Sequence, residues 1–337
     1  MVSIKEISYK NYGKCLQLSN EKVEVLVTVD LGPRIIKCNL AGKENLMFND
    51  VERKLSHDVS SLFGEGRSWY IYGGHRIWLS PEKFPDTYYP DNEKVVYTTS
   101  ANGAVFTPAQ QDQTGLQLCL SVELDETEPK ITVTNKITNC SKQPIEGAVW
   151  CLSVMDQGGA VIVPQPTEDT GLLNNRVIAL WPYTKMSDSR VFWGDKYIAL
   201  RQDPAVEDAI KFGINNTSHK AAYVNHGQAL VKDYDVNHPG GNYPDGGMSC
   251  EVYASALFTE CETLSEVKKL KKGESITHTE RWTLFDDVEI GKFSNKALEE
   301  LGEKISIDLD DEPVELNEDI LNFSGTEKTL NKNELNV

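Results

Sequence analysis

The sequence lacks the features that mark disulfide-bonded, zinc-binding and membrane proteins. Its 337 residues include only seven cysteines, which are scattered and form no CxxC pair, so we expect reduced, buried thiols. No run approaches the roughly 18 uninterrupted apolar residues of a membrane helix. The first 20 residues lack the apolar segment of a secretory signal. These absences predict a cytoplasmic protein.

Motifs for nucleotide binding, metal binding and serine catalysis are also missing. There is no glycine-rich dinucleotide fingerprint after a strand, no P-loop, no GxSxG elbow and no HExxH helix. His, Asp and Glu residues show no compact spacing typical of metal ligands. We therefore predict no cofactor and no metal, although a calcium site built from separate loops stays open because its ligands need not be close in sequence.

The charge balance is acidic, with 34 Lys and Arg against 51 Asp and Glu, for a net charge of −17. Nucleic acids and anionic membrane surfaces bind clustered basic residues, so neither is an expected partner. The acidity is uneven: from Ala297 to the end there are 12 acidic residues and 3 lysines. We interpret this charge as a property of a C-terminal tail.

Short segments with period-two alternation dominate the chain and predict an all-β fold. "KVEVLVTV" and "LQLCLSVEL" are examples, and most such segments are bounded by Gly, Pro, Asn or Asp. Strands without intervening helices favour a large antiparallel β-sandwich over parallel units. We predict one such domain over residues 1–287, with no linker inside it.

The pattern changes in residues 288–337, where we predict a short helix and an acidic, partly mobile tail. Leu298, Leu301 and Ile305 recur at helical spacing with acidic residues between them. The segment that follows is polar and acidic, which is typical of loosely held chain. An alternative is that "ILNF" (320–323) docks this segment on the sandwich.

The segment 67–85 concentrates residue types that bind sugars. In "YGGHRIW" two glycines permit a bend, and His75, Arg76 and Trp78 follow directly, with Glu82 beyond them. Aromatic rings stack on the C–H face of a sugar ring, and charged planar groups bind its hydroxyls. The alternative is a twisted strand with a satisfied core histidine.

A second candidate segment, residues 242–264, carries several acids. If one strand ran unbroken, Glu260 and Glu262 would share the apolar face of Val252 and Ala254. A carboxylate there would have a raised pKa, which suits a general acid or base. Glu251 has the other parity and follows a glycine-rich turn, so it could serve a site at the start of the strand. The alternative is an intervening turn with solvated acids.

The remaining histidines give weaker signals. In "ESITHTERWTLF" the residues His278, Glu280 and Trp282 share one face, which we interpret as the solvated edge of a final strand. His57, His219, His226 and His238 stand in polar loops. The glycine-rich loop after His238 could form the rim of a site.

Three segments carry a resemblance to the galactose mutarotase-like superfamily, which includes the aldose 1-epimerases. They are "VTVDLGPRIIKCNLAGKENLM", "YGGHRIW" and "FTECETLSEVKKLKKGESITHTERWTLF". The combination of "YGGHR-W--PE", "P-Q" and "YPDGG--EVY" is most similar to an uncharacterised bacterial branch. The resemblance spans roughly residues 1–287 and implies a large antiparallel supersandwich.

The resemblance also implies a chemistry. In the mutarotases a glutamate takes the proton of the sugar O1 hydroxyl while a histidine protonates the ring oxygen. Residue by residue, the base falls on Glu260 and sugar-binding positions fall on His75 and Arg76. The superfamily's mid-chain histidine has no counterpart, because Trp150 stands in that region. His75 is therefore the expected acid if it faces Glu260.

The sequence thus predicts a carbohydrate-binding, mutarotase-like protein of the aldose 1-epimerase type, acting on a free sugar or sugar derivative. Glu260 and His75 are the predicted catalytic pair. The predicted substrate-binding residues are Arg34, Arg76, Trp78, Glu82 and Glu251. Two alternatives stay open: a non-catalytic sugar-binding or sensing protein on the same fold, and a glycoside hydrolase or lyase with two carboxylates. The sequence leaves the oligomeric state unknown.

Overall fold

The computed structural model describes residues 1–235 and 241–309. The predicted rim loop at His238 and the predicted acidic tail beyond residue 309 lie outside these described residues. None of the described helices is long and apolar enough to cross a membrane.

The described chain is built mainly from β-strands. The strands are β1 Ser3–Ser8, β2 Lys14–Ser19, β3 Val23–Thr28, β4 Ile35–Leu40, β5 Ser56–Asp58, β6 Ser68–Tyr70, β7 Gly74–Ser80, β8 Val96–Thr99, β9 Gly103–Thr107, β10 Leu116–Leu124, β11 Lys130–Asn139, β12 Ile145–Met155, β13 Ala160–Pro164, β14 Ile178–Leu180, β15 Val191–Trp193, β16 Tyr197–Arg201, β17 Ile210–Ile214, β18 Lys220–Asn225, β19 Gln228–Tyr234, β20 Cys250–Ala254, β21 Thr259–Leu264, β22 Lys268–Leu270 and β23 Ser275–Asp286. The helices are α1 Ser60–Phe63, α2 Pro244–Gly247 and α3 Asn295–Lys304, with a 3₁₀ turn at Asp86–Tyr88.

Two large antiparallel sheets form a sandwich, which confirms the predicted fold class. The first sheet has the order β1-β2-β3-β4-β7-β12-β21-β20-β17-β14, and β22 pairs with β12. The second has the order β15-β16-β13-β18-β19-β23-β11-β10-β9-β8. β5 and β6 form a separate two-stranded ribbon. The main apolar core lies between the sheets, where alternate residues of each strand meet.

Strand β23 lies in the interior of the second sheet and not at its edge. It pairs with β11 on one side and with β19 on the other. His278, Glu280 and Trp282 are consequently buried, at no more than 1% exposure. The interpretation of this strand as a solvated edge was wrong, because local alternation cannot show how many neighbours a strand has.

Helix α3 forms where the helical spacing predicted it. Ser294 caps it by accepting a hydrogen bond from the Ala297 backbone N–H. Leu298, Leu301 and Ile305 pack with residues of β13, β16 and β18 whose side chains point away from the sandwich core. The helix therefore covers the outer face of the second sheet.

Candidate functional site

Strand alternation distributes the "GHRIW" residues between two faces of the first sheet. Arg76 and Trp78 of β7 point to the face away from the core, whereas His75 and Ile77 point into it. In the ladder Trp78 is opposite Trp150 of β12, and Arg76 is opposite Leu152. This outer face is the floor of a cavity.

Acidic residues of the next strands continue that floor. Glu260 and Glu262 of β21 lie opposite Tyr253 and Glu251 of β20. The two strands form a hairpin, so Glu260 and Glu262 do not share the face of Val252. Of the two alternatives, an unbroken strand and an intervening turn, the structure has the turn, which lies between Ala254 and Thr259. The acids are nevertheless buried and not solvated.

The cavity above this floor has a volume of about 740 Å³. Its lining combines aromatic, cationic and carboxylate side chains. The lining residues include His57, Trp69, Arg76, Trp78, Glu82, Tyr88, Trp150, Trp181, Tyr183, Glu207, Lys211, Tyr253, Phe258 and Glu260. Glu260 and Arg76, two residues singled out in the sequence, thus face the same space.

Glu260 is the floor carboxyl best suited to act as a general acid or base. It is 7% exposed, and its Oε1 lies 3.6 Å from Nη2 of Arg76. Burial and the neighbouring Glu262 raise the pKa of Glu260 to about 8, against the opposing effect of Arg76. A carboxyl with such a pKa exchanges protons near neutral pH, as a general acid or base must.

Lys211 of β17 neutralises the other two floor carboxylates. Its Nζ lies 2.7 Å from Oε2 of Glu251 and 3.0 Å from Oε2 of Glu262. The ammonium also lies 4.5 Å from the ring centre of Trp150 and 4.7 Å from that of Trp181. Burial disfavours its charge, but the two carboxylates outweigh this effect, so the pKa of Lys211 is raised. Glu251 is therefore an ion-pair partner beneath the cavity, not part of its lining.

Aromatic rings make the cavity walls. Trp78 contacts Trp150, with ring centres 5.4 Å apart, and Trp69 at 6.0 Å. Tyr88 packs edge-on against Trp69 at 5.2 Å. His57, on the two-stranded ribbon, stacks on Trp69 at 5.6 Å. Such walls offer flat apolar faces beside polar groups, the combination that a sugar ring requires.

His75 does not face Glu260. It is fully buried in the core, where Nδ1 lies 2.8 Å from Oγ of Ser153 and Nε2 lies 2.9 Å from Oδ1 of Asn135. Burial lowers the pKa of His75 to about 4. The expectation that His75 and Glu260 meet across one pocket is corrected, because residue 75 has the opposite strand parity to the cavity floor.

The core around His75 is a buried polar network that links the two sheets. Glu280 accepts hydrogen bonds from Lys232 at 2.9 Å, Thr263 at 2.7 Å and Trp282 at 3.2 Å. Burial opposes its charge, but Lys232 and His75 lower the pKa of Glu280 to about 2. The side chains of His75, Cys151 and Glu280 each offer an atom that could bind a metal ion, and these atoms lie within 4.8 Å of one another. Lys232 already supplies the positive charge that Glu280 needs, so we interpret this cluster as structural.

Two further predicted residues lie apart from the floor. Arg34 is buried and binds Asp91 through two hydrogen bonds of 2.5 and 2.9 Å, and it does not line the cavity. Glu82 stands at the rim, where it accepts a hydrogen bond of 2.5 Å from the Tyr88 hydroxyl. The structure thus brings Arg76, Trp78, Glu82 and Glu260 to one cavity.

Sequence reasoning missed several cavity residues. Lys211 alternates with Ile210, Phe212 and Ile214, which is the pattern of any strand with one solvated face. His57 gave no signal because it belongs to a polar segment. A lysine within an otherwise apolar strand was the one available hint, and it could not show that two glutamates lie beside it.

Comparisons with solved structures bear on the fold. A galactose mutarotase-like protein from Lactobacillus casei is 10% identical, with 80% of this chain and 100% of that one covered and a TM-score of 0.50. A second one, from Clostridium acetobutylicum, is 12% identical over 85% and 99% of the two chains, also with a TM-score of 0.50. The chain has the galactose mutarotase-like fold.

The same fold occurs within a larger protein. A TPR-domain containing protein from Parabacteroides distasonis gives a TM-score of 0.55 at 14% identity over 82% of this chain. This chain spans 48% of that protein's length. No family model and no curated protein matches the sequence.

Proposed function

We propose that the cavity above Glu260 binds a sugar ring. The observation that carries this proposal is the combination of tryptophan faces with an arginine and a carboxyl on one sheet face. Trp78 and Trp150 provide surfaces for the C–H face of the ring. Arg76 and Glu260 provide hydrogen-bonding groups for its hydroxyls. The fold similarity to mutarotase-like proteins supports the same class of ligand.

Equilibrium binding of a panel of hexoses and pentoses, measured by NMR saturation transfer and calorimetry, tests this proposal. Trp78→Ala should weaken sugar binding about tenfold or more, because a stacking face is lost. Trp193→Ala is the matched control, since Trp193 packs on Phe212 away from the cavity. Equal losses in both variants, or no binding to the wild type, would contradict the proposal.

A second function, anomer interconversion, is favoured by the protonation behaviour of Glu260. Its carboxylate would take the proton from the O1 hydroxyl as the C1–O5 bond breaks and an acid protonates the ring oxygen, giving the open-chain aldehyde. Reversal after rotation about C1–C2 gives the other anomer. His57 replaces His75 as the candidate acid, because it lines the same cavity as Glu260. Hydrolysis is less well supported, since Glu251 and Glu262 are both paired with Lys211.

Polarimetry on freshly dissolved α-anomers separates catalysis from binding alone. Glu260→Gln should slow the catalysed rate by about 10²–10⁴-fold, the usual contribution of a general acid or base. The wild-type rate should rise as the pH rises through about 8, because only the ionised carboxyl accepts a proton. A wild-type rate equal to that of the variant would leave the non-catalytic binding function.

A further inference from the structure

Arg76 differs from two other buried arginines because its guanidinium makes no hydrogen bond to a carboxylate. Arg34 binds Asp91 through two hydrogen bonds, and Arg190 binds Asp188 through bonds of 3.1 and 2.8 Å. Within the described residues, Arg76 makes no hydrogen bond, and its Nε and Nη1 are buried without a partner. Its ion-pair contact with Glu260, at 3.6 Å, is longer than a hydrogen bond.

Among the described residues, the surroundings of Arg76 give its guanidinium two ring faces and one long ion-pair contact, but no hydrogen-bond acceptor. The side chain of Arg76 is 4% exposed. Its guanidinium carbon lies 4.2 Å from the ring centre of Trp78 and 5.8 Å from that of Trp69. Lys211, the neighbouring floor cation, is occupied by Glu251 and Glu262. Glu260 is the nearest carboxyl, but its Oε1 stays 3.6 Å from the guanidinium, and burial and Glu262 raise its pKa. Buried guanidinium N–H groups without an acceptor are costly, which points to a ligand that accepts their hydrogen bonds and brings a negative charge.

We propose that the sugar bound by this cavity carries a carboxylate, as a uronic acid does, and that Arg76 holds that carboxylate. This inference rests on the proposed function. A guanidinium matches a planar carboxylate in geometry and forms charge-assisted hydrogen bonds with it, as Arg34 and Arg190 do within this protein. Because the pKa of Glu260 is raised, its carboxyl, when it carries a proton, can donate a hydrogen bond to the same ligand group.

A carboxylate suits this floor better than a phosphate. A sugar phosphate brings up to two negative charges, which call for several cationic donors. The cavity lining instead includes the carboxyls of Glu82 and Glu207, and Arg76 provides its one guanidinium. A single negative charge balances that guanidinium.

Calorimetric titration at pH 6.5 tests the inference with galactose, galacturonate, the methyl ester of galacturonic acid, and galactose 6-phosphate. The same four compounds of the glucose series extend the test. We expect each uronate to bind about tenfold or more tightly than its parent hexose and its methyl ester. Arg76→Gln should reduce this ratio to near one. Lys185→Gln should leave the ratio within about twofold, because it removes an exposed cation that pairs with Asp208 and does not line the cavity.

The outcomes distinguish the two proposals. Equal binding of hexose and uronate would overturn the carboxylate inference and leave the sugar site intact. Tighter binding of the phosphate than of the uronate would also overturn it. Failure of all the compounds to bind would overturn both proposals. If Arg76→Gln does not fold, the comparison of uronate with its methyl ester on the wild type decides the question.

Discussion

Replacing His75 and His57 separately tests whether the structure assigns these two histidines to the right places. His75→Ala removes an imidazole that is fully buried and bonded to Ser153 and Asn135. Each buried partner left unsatisfied costs about 1–3 kcal/mol, and the vacated space adds a further penalty. Because such terms are not additive, we expect the free energy of unfolding to fall by about 3 kcal/mol.

The matched variant is His57→Ala, on the exposed wall of the cavity. Its free energy of unfolding should change by about 0.5 kcal/mol or less, as at most surface positions. Its sugar binding or anomer interconversion should weaken instead. Urea denaturation followed by circular dichroism, together with sugar titration well below the transition, measures both properties.

One pattern of results would refute this reasoning. If His75→Ala kept full stability but lost sugar binding or turnover, then His75 would reach the cavity and would be the acid expected from the sequence. His57 would then be a surface residue without a role. Strand parity requires the loss of stability at His75, and the proposed role of His57 adds the loss of activity at that residue.

Three further predictions concern stability. Burial lowers the pKa values of His75 and His278 to about 4, so the unfolded chain binds more protons than the folded one between that value and about 6.5. The free energy of unfolding should therefore fall as the pH drops through this range, by up to about 3 kcal/mol per histidine, in urea titrations at several pH values. Lys211→Met should destabilise the fold by about 3–5 kcal/mol in the same assay, because two carboxylates lose their buried cation. Leu298→Ala should cost about 2–4 kcal/mol by removing a buried contact of helix α3, measured by urea denaturation.

Each of these three has a result that contradicts it. Stability that stays constant from pH 6.5 to 4 would mean that the core histidines bind protons as freely in the folded state as in the unfolded state. A Lys211→Met variant as stable as the wild type would mean that Glu251 and Glu262 do not depend on the lysine. An unchanged denaturation midpoint in Leu298→Ala would mean that α3 is not docked on the sheet, with Lys296→Ala, at the exposed surface, as the control.

The sandwich was predictable because period-two alternation is a local property. Strands such as β11 and β23 alternate over ten or more residues, and their register follows from the buried face. The number of neighbours of each strand was not predictable in this way. β23 carries His278 and Glu280 into the core because β19 and β11 flank it, and β19 is distant from β11 in sequence.

The site was predictable only in part, for a related reason. Residues 75 and 76 are adjacent in one strand, so their side chains must face opposite ways, and Ile77 shares the parity of His75. The apolar Ile77 indicated that this face of the strand points to the core. Only the folded structure shows that the second sheet packs on this face and that the cavity lies on the other. Lys211 and His57 reach the cavity from separate parts of the chain, so no local pattern could join them to Glu260.

The location of a bound sugar tests the central claim most directly. Diffraction from crystals soaked with galactose or galacturonate should show a sugar ring against Trp78 or Trp150. A polar group of the sugar should lie within hydrogen-bond distance of Glu260 and another within that distance of Arg76. Sugar density elsewhere on the molecule, with this cavity empty at a saturating sugar concentration, would contradict the account.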